Sequence, residues 1–533
     1  MADNEAPSPT DPLLGRAQDT HPATTTENRR NKHRKIIAIT FASAFVLLLV
    51  ATVGGIWVAK RKGRNGGSGK RNVILMVSDG FGPASETLAR QYYQYTENVP
   101  FDTKLPLDTI LVGSSRTQSS DSFVTDSAAG ATAFACGIKT YNGAIAVNTE
   151  QKPCGTVLEA AKEQGYLTGM VVTSRITHAT PACFASHSDS RNLEDDIALD
   201  EIGNYTLGRR ADLMFGGGSC FFRPKLDTRS CRADSIDAFA IARDIGWHVG
   251  AQDRTLFDAL DPTSIPLPYL NLFADDHMAY EIDRDHTLEP SLKEMAEKAL
   301  DILTYASKDT KGFFLMIEGS RIDMAAHNND PAAHIHEILA YQETIKTVKK
   351  YVAEHPDTVM ISVSDHETGG LSVGRQLDPH QYPVYDWNPK ALVGAKKSIE
   401  VLTPQIASFP ERKLPLRRIW VNNTILANTL GVHDATLEEI DSLAVRGTAE
   451  VDILMSLGEI LSRRAGLGWA THGHSAVDVN LYAYGLNADQ LRGNHENTEI
   501  GKFIIRQLEL DVEKITAKLN RRQEAIHGHE EGV

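Results

Sequence analysis

Three apolar runs, each ending on an acid, constrain the fold of this chain more than any other feature. Asn72-Val73-Ile74-Leu75-Met76-Val77-Ser78-Asp79-Gly80, Phe313-Phe314-Leu315-Met316-Ile317-Glu318-Gly319 and Val359-Met360-Ile361-Ser362-Val363-Ser364-Asp365-His366 lack the polar alternation of a half-exposed strand. Such runs belong to strands buried on both faces, as in a parallel sheet. Helical patterns lie between them, at Thr156–Gln164 and Glu289–Tyr305. The alternation predicts an α/β fold: a three-layer αβα sandwich around a mostly parallel, doubly wound sheet. Ligands of such folds bind outside the carboxyl ends of the strands. Asp79, Glu318 and Asp365 all fall at that edge.

The remaining segments are less apolar. Residues 375–470 hold a Pro-rich, aromatic loop at Asp378–Asn388 and read as a surface, cap-like insertion. Val477–Tyr484 alternates as a strand does. Residues 498–519 read as one closing amphipathic helix, and 520–533 as a polar tail. At the other end, Ile36–Ala59 carries no charge over 24 residues. As a helix it would span about 36 Å, enough to cross a bilayer. It is too long for the core of a cleaved signal peptide and reads as a signal anchor. Residues 1–35 are then a disordered cytosolic tail, 60–70 a linker, and 71–519 the catalytic body. The sequons at Asn204 and Asn422 both follow the anchor, which fits a type II protein with a lumenal body. The formal net charge of -14 argues against nucleic-acid binding and means that any phosphate chemistry needs local cations. Five cysteines do not make a disulfide scaffold, but Cys220 and Cys231 are close enough to staple a surface loop in an oxidising compartment.

Candidate chemistry collects at four places. In Val124–Gly137 a helix of small residues has Asp126 at its N-cap, Ser127 in its first turn and Gly137 at its C-cap. The Ser127 hydroxyl then sits at the positive end of a helix dipole, where an alkoxide and a phosphate are favoured. Asp323 and His327 are four apart and share one helix face. Asp365 and His366 are adjacent at a strand end. Thr471-His472-Gly473-His474-Ser475 precedes the late strand, and periodicity leaves both histidines open. Together these make two incomplete nitrogen and oxygen shells with spare carboxylates. Paired metals of this kind clamp the attacking and leaving oxygens of a phosphoryl transfer, and a serine beside them becomes a nucleophile.

In this order the motifs closely resemble the alkaline phosphatase family, over roughly residues 70–510. They comprise Asp79, Asp126-Ser127-Ala128 with Gly130-Ala131-Thr132-Ala133, Thr177–Pro181, the Glu318–Asp323–His327 block, Asp365-His366 and a late histidine. The tail and single anchor are similar to those of the membrane-anchored vacuolar enzymes of fungi. The resemblance implies hydrolysis of phosphate monoesters through a phosphoserine at Ser127, in a homodimer on the vacuolar membrane. It implies two zinc ions, one on Asp323, His327 and a late histidine, the other on Asp79, Asp365 and His366. It implies one magnesium on Asp79, Thr180 and Glu318. Arg191 would grip the phosphate, with His178 beside it on the substrate side. His178 stands where bacterial members have an aspartate, and Met324 where they have a lysine. Family spacing back from Tyr484-Gly485, with Ser475-Ala476 as a small pair, favours His474 as the late ligand and keeps His472 as the alternative. The rival readings are a sulfatase or phosphodiesterase of the same superfamily, and an inactive membrane receptor keeping the fold. No Cys/Ser-x-Pro-x-Arg nucleophile motif occurs around Ser127.

Overall fold

The structure, a computed structural model, describes residues 69–530. The expected anchor Ile36–Ala59 and the tail before it lie outside these residues. Among the described residues no helix is long and apolar enough to cross a membrane.

The three apolar runs become β1 (Asn72–Ser78), β7 (Phe313–Gly319) and β8 (Thr358–Val363), the middle of a ten-stranded sheet. β2 (Leu111–Arg116), β3 (Leu167–Arg175), β4 (Leu213–Gly217), β5 (His248–Val249), β6 (Tyr269–Leu272), β13 (Val479–Gly485) and β14 (Gly493–Glu496) complete it, in the order β14-β2-β13-β8-β1-β7-β3-β4-β6-β5. β1 lies parallel between β7 and β8, with Val77 level with Glu318 and Val363. β13 runs antiparallel to both its neighbours, β8 and β2. Two short pairs stand apart: β9 (Glu367–Thr368) with β12 (His474–Ser475), and β10 (Ser372–Val373) with β11 (Leu467–Gly468).

Because side chains alternate along a strand, β1 feeds two cores. Val73, Leu75 and Val77 join the core beneath α2 (Ser127–Cys136), α3 (Val157–Glu163) and α4 (Ala179–Ala185). Ile74 and Met76 join the opposite core, beneath α1 (Pro83–Thr96), α5 (Leu292–Ala306) and α7 (Pro331–Glu354). All five are fully buried. Burying each stabilises the fold by about 1.5–3 kcal/mol, and an unbroken apolar run is what a strand covered on both faces requires. A third cluster packs α8 (Ile399–Ser408) and α9 (Glu450–Ala465), from the 375–470 segment, against Leu88 and Tyr92 of α1.

The closing helix differs from expectation. Residues 498–519 form parts of two helices, α10 (Asn497–Leu508) and α11 (Val512–Glu530), and α11 runs on into the segment read as a polar tail. Glu509 adopts the left-handed conformation at φ 55° and ends α10. Leu510 then turns into the α2–α4 core, and its amide donates back to the Ile505 carbonyl at 2.9 Å. Cys220 and Cys231 are bonded. So are Cys136 and Cys154, a pairing the sequence reading missed. That second bond ties the C-terminal end of α2 to the loop before α3.

Candidate active site

Asp79 follows β1, Glu318 is the penultimate residue of β7, and Asp365 and His366 follow β8. The three acids stand at one edge because their strands pair in parallel. α6 (Arg321–His327) starts two residues after β7 and carries Asp323 and His327 on one face, with Asp323 Oδ2 3.3 Å from His327 Nε2. The β9–β12 pair sets His474 opposite Thr368, and His474 Nε2 lies 3.1 Å from His327 Nε2 and 3.7 Å from Asp323 Oδ1. The imidazole of His472 instead turns to the His327 carbonyl at 2.8 Å.

Ser127 is the first residue of α2, and Asp126 is its N-cap, accepting from Ala129 N at 3.0 Å. The Ser127 hydroxyl lies 3.1 Å from His366 Nε2 and 3.5 Å from Asp79 Oδ1. α2 reaches the strand edge because Gly130 has no side chain: a Cβ there would stand 2.9 Å from Asp365 Cβ. Gly80, at φ +73°, lets the chain turn after Asp79, and a Cβ on it would meet Asp323.

Hydrogen bonds fix the imidazole tautomers. His474 Nδ1 donates to the Thr125 carbonyl at 2.7 Å, and His327 Nδ1 to that of His472. Thr368 donates its hydroxyl to Asp323 Oδ1, so its oxygen accepts from His366 Nδ1 at 3.1 Å. Each ring, when neutral, therefore aims its Nε2 lone pair into the cluster. Asp79, Asp323, Asp365 and His366 are all 5% exposed or less. Asp79 Oδ2, Glu318 Oε1 and Thr180 Oγ1 make no hydrogen bond, while Asp365 Oδ2 faces the His366 ring at 3.2 Å. Burying such groups unpaired is strongly unfavourable. In the bare protein, protons take part of this load. Burial and then the Asp365 carboxylate raise Asp79 well above the usual range, and burial pushes Glu318 up to about 7. Burial opposes charge on His327, but Asp323 overrides it and raises the ring to about 9. Burial lowers His474 to about 4, with His366 adding to the effect. Divalent cations do this work better, and the donor set fits them. Two groups lie close enough to share an ion: Asp323 with His327 and His474, and Asp79 with Asp323 and His366.

Arg191 is held from two sides. Its guanidinium donates to Asp126 Oδ2 at 3.0 Å and to His178 Nε2 at 3.1 Å. Burial and the nearby guanidinium keep His178 well below the usual histidine range, so it stays neutral and able to accept. Met324, on α6 beside Asp323, is half-buried. Sequence reasoning treated Asp126 only as a helix cap and missed its clamp on Arg191; the signal was the cap's second, unassigned oxygen. It missed Thr368 altogether, and no local pattern marks that residue. It also assigned Asp323 to one shell, whereas the carboxylate stands between both.

A parallel-strand edge lined with acids and imidazoles around a helix-capped serine defines a hydrolase. The chain belongs to the alkaline phosphatase family, whose family model, described as "Alkaline phosphatase", matches residues 70–510. It is 45% identical to the repressible alkaline phosphatase of Saccharomyces cerevisiae, over 92% of this chain and 90% of that protein. It is 44% identical to an alkaline phosphatase of Schizosaccharomyces pombe, over 91% and 89%. Among solved structures it resembles the cold-active enzyme of a psychrophilic Shewanella, with a TM-score of 0.69 and 32% identity over 82% of this chain and 99% of that one. It also resembles a TAB5 alkaline phosphatase variant with magnesium bound in its M3 site, with a TM-score of 0.57 and 26% identity over 83% and 99%. The chain is thus an enzyme, a phosphoric monoester hydrolase of alkaline phosphatase type.

Proposed function

We propose that this chain hydrolyses phosphate monoesters of broad specificity through a phosphoserine on Ser127, releasing inorganic phosphate and an alcohol. One observation carries the reading: the Ser127 hydroxyl lies against His366 Nε2 and Asp79, and these belong to two adjoining groups of carboxylates and imidazoles, Asp79 with Asp323 and His366, and Asp323 with His327 and His474, each close enough to share an ion. Asp323, His327 and His474 would hold one zinc, and Asp79, Asp365 and His366 the other, with Asp323 at the border of both. Asp79, Thr180 and Glu318 offer only oxygen and would hold magnesium. When bound, these ions supply Lewis-acid charge that favours the serine alkoxide and neutralises phosphate oxygens.

The chain's own groups do the rest. Asp126 caps α2 and so keeps Ser127 at the positive end of the helix. Asp126 and His178 hold the Arg191 fork in a fixed position, where it grips two phosphate oxygens. The Ser127 oxygen bonds to phosphorus as the ester oxygen departs with a proton as the alcohol. Water then displaces the serine oxygen and frees phosphate. Ser127→Ala should fold and retain metal but form no phosphoenzyme, with turnover down roughly 10⁴-fold or more. Near-normal turnover in that variant would remove Ser127 from the mechanism.

The same proposal includes a type II protein anchored by Ile36–Ala59, with a glycosylated lumenal body in a vacuole, acting as a homodimer with 375–470 as a cap. Its support is the charge-free segment, the two sequons with Asn204 exposed, and the similarity to fungal relatives.

A further inference from the structure

A second concave site lies on the other face of the sheet, away from the acids. It encloses about 660 Å³, within the range of pockets that take small organic ligands. One wall is a single face of α7, from Leu339 through Gln342 and Lys346 to Ala353. The facing wall is the strap Thr103–Pro106, and Tyr484 of β13 lines the cavity between them. Tyr484 is level with Met360, and Met360 with Ile74. The cavity is therefore roughly 16 Å down the strands from Asp79 at ordinary strand rise.

The walls are built. Buried Gln94 donates to the carbonyls of Phe101 and Thr103, at 2.9 and 2.8 Å, and so pins the strap. Leu107 N donates to Gln342 Oε1 at 3.0 Å and ties the strap's continuation to α7. The lining has two characters. Tyr93, Leu105, Pro106, Leu339 and Tyr484 give an apolar interior. Lys104, Lys346, Lys349 and Lys350 stand around it against only Glu97 and Glu343, an excess of cations in a chain of net charge -14. Lys349 is tied to Thr109 Oγ1 at 2.6 Å, and Lys346 lies 3.5 Å from Glu343. Lys104 and Lys350 are exposed, and their ammonium groups make no hydrogen bond or ion pair among the described residues.

We propose that this cavity binds an amphipathic anion, a carboxylate or phosphate head on an acyl or aryl body. The body fills the space between Leu105, Leu339 and Tyr484, and the head meets Lys104 and Lys350 at the rim. An apolar interior alone would take any oily molecule, and lysines alone any anion. The two together select molecules carrying both.

Site-resolved lysine labelling tests this on the full chain in neutral phosphatidylcholine nanodiscs. The chain is treated with an amine-reactive ester and read by peptide mass spectrometry, with Lys225, exposed and far along the chain, as internal reference. Saturating inorganic phosphate is added in one arm, so that the phosphatase centre is occupied. Laurate should protect Lys104 and Lys350 at least roughly 10-fold relative to Lys225, the scale of one charge-assisted contact. Decanol and inorganic phosphate alone should not. Ala353→Trp, which fills the cavity mouth, should abolish the protection while phosphatase turnover stays at wild type. Lys350→Gln, with minimal demands on folding, should raise the laurate concentration needed to protect Lys104 about 10-fold. Protection by decanol or by phosphate equal to that by laurate would overturn the proposal. So would no protection by laurate, or protection unchanged in both variants.

Discussion

At the residue scale the late histidines separate cleanly. His474 donates from Nδ1 to the Thr125 carbonyl and turns Nε2 toward Asp323 and His327, as a metal-ligating imidazole does. His472 spends its Nδ1 on the His327 backbone. His474→Ala should therefore strip zinc and turnover together. His472→Ala should disturb only the loop, lowering turnover by roughly 10-fold to 100-fold. Zinc stoichiometry by mass spectrometry decides between them, and the reverse order would move the ligand to His472. The late strand was visible in the sequence, but the side from which each histidine faces the cluster depends on a pairing with Glu367–Thr368, more than a hundred residues earlier.

At the element scale the centre depends on how closely α2 approaches the end of β8. Gly130 sits in the helix interior, where alanine is ordinarily better by about 0.5–1 kcal/mol. Here a Cβ would collide with Asp365 Cβ at 2.9 Å, and Asp365 is fully buried. Gly130→Ala should keep the fold yet displace Asp365 or Ser127, with turnover down on the order of 10²-fold, the effect of a shift of about 1 Å. Steady-state kinetics with circular dichroism will check it; full activity would mean the helix simply slides. Much of this element was legible in sequence, because the Asp cap, the small residues and the terminal glycine are local signals. The break at Glu509 was not, because nothing in Leu508-Glu509-Leu510 marks a left-handed residue. The pull of Leu510 into the core sets it. The Cys136–Cys154 bond was hidden for a similar reason: only the fold shows that the loop returns to the end of α2.

At the scale of the whole molecule, several buried carboxyls away from the catalytic edge are raised. Burial lifts Glu86 to about 8, Glu337 to about 7, and Asp200 and Asp330 to about 6. The folded state then keeps protons that the unfolded chain releases from about pH 4 upward. By linkage, this contribution is present in acid and fades as pH rises through 4 to 8. Comparing wild type with Glu86→Gln isolates one group. The melting-temperature difference, wild type minus variant, should be larger at pH 5 than at pH 8.5, and a flat difference would contradict the shift. Topology is tested at the same scale. Protease added to sealed vesicles should trim only the N-terminal tail; digestion of residues 71–519 would reverse the proposed orientation.

The place of β1 also bears on how the chain is made. Among the described residues it is the first strand to leave the ribosome, yet its partners are β7 and β8. About 240 residues must be added after Ser78 before β7 is complete. At 5–20 residues per second, that is roughly 10–50 s during which a strand with the apolar run Val73–Val77 has neither neighbour. A nascent chain of this design needs shelter for its first strand, either from a chaperone or from provisional packing against α1. Synthesis halted anywhere before residue 319 would leave a fragment in which β1 lacks both of its partner strands.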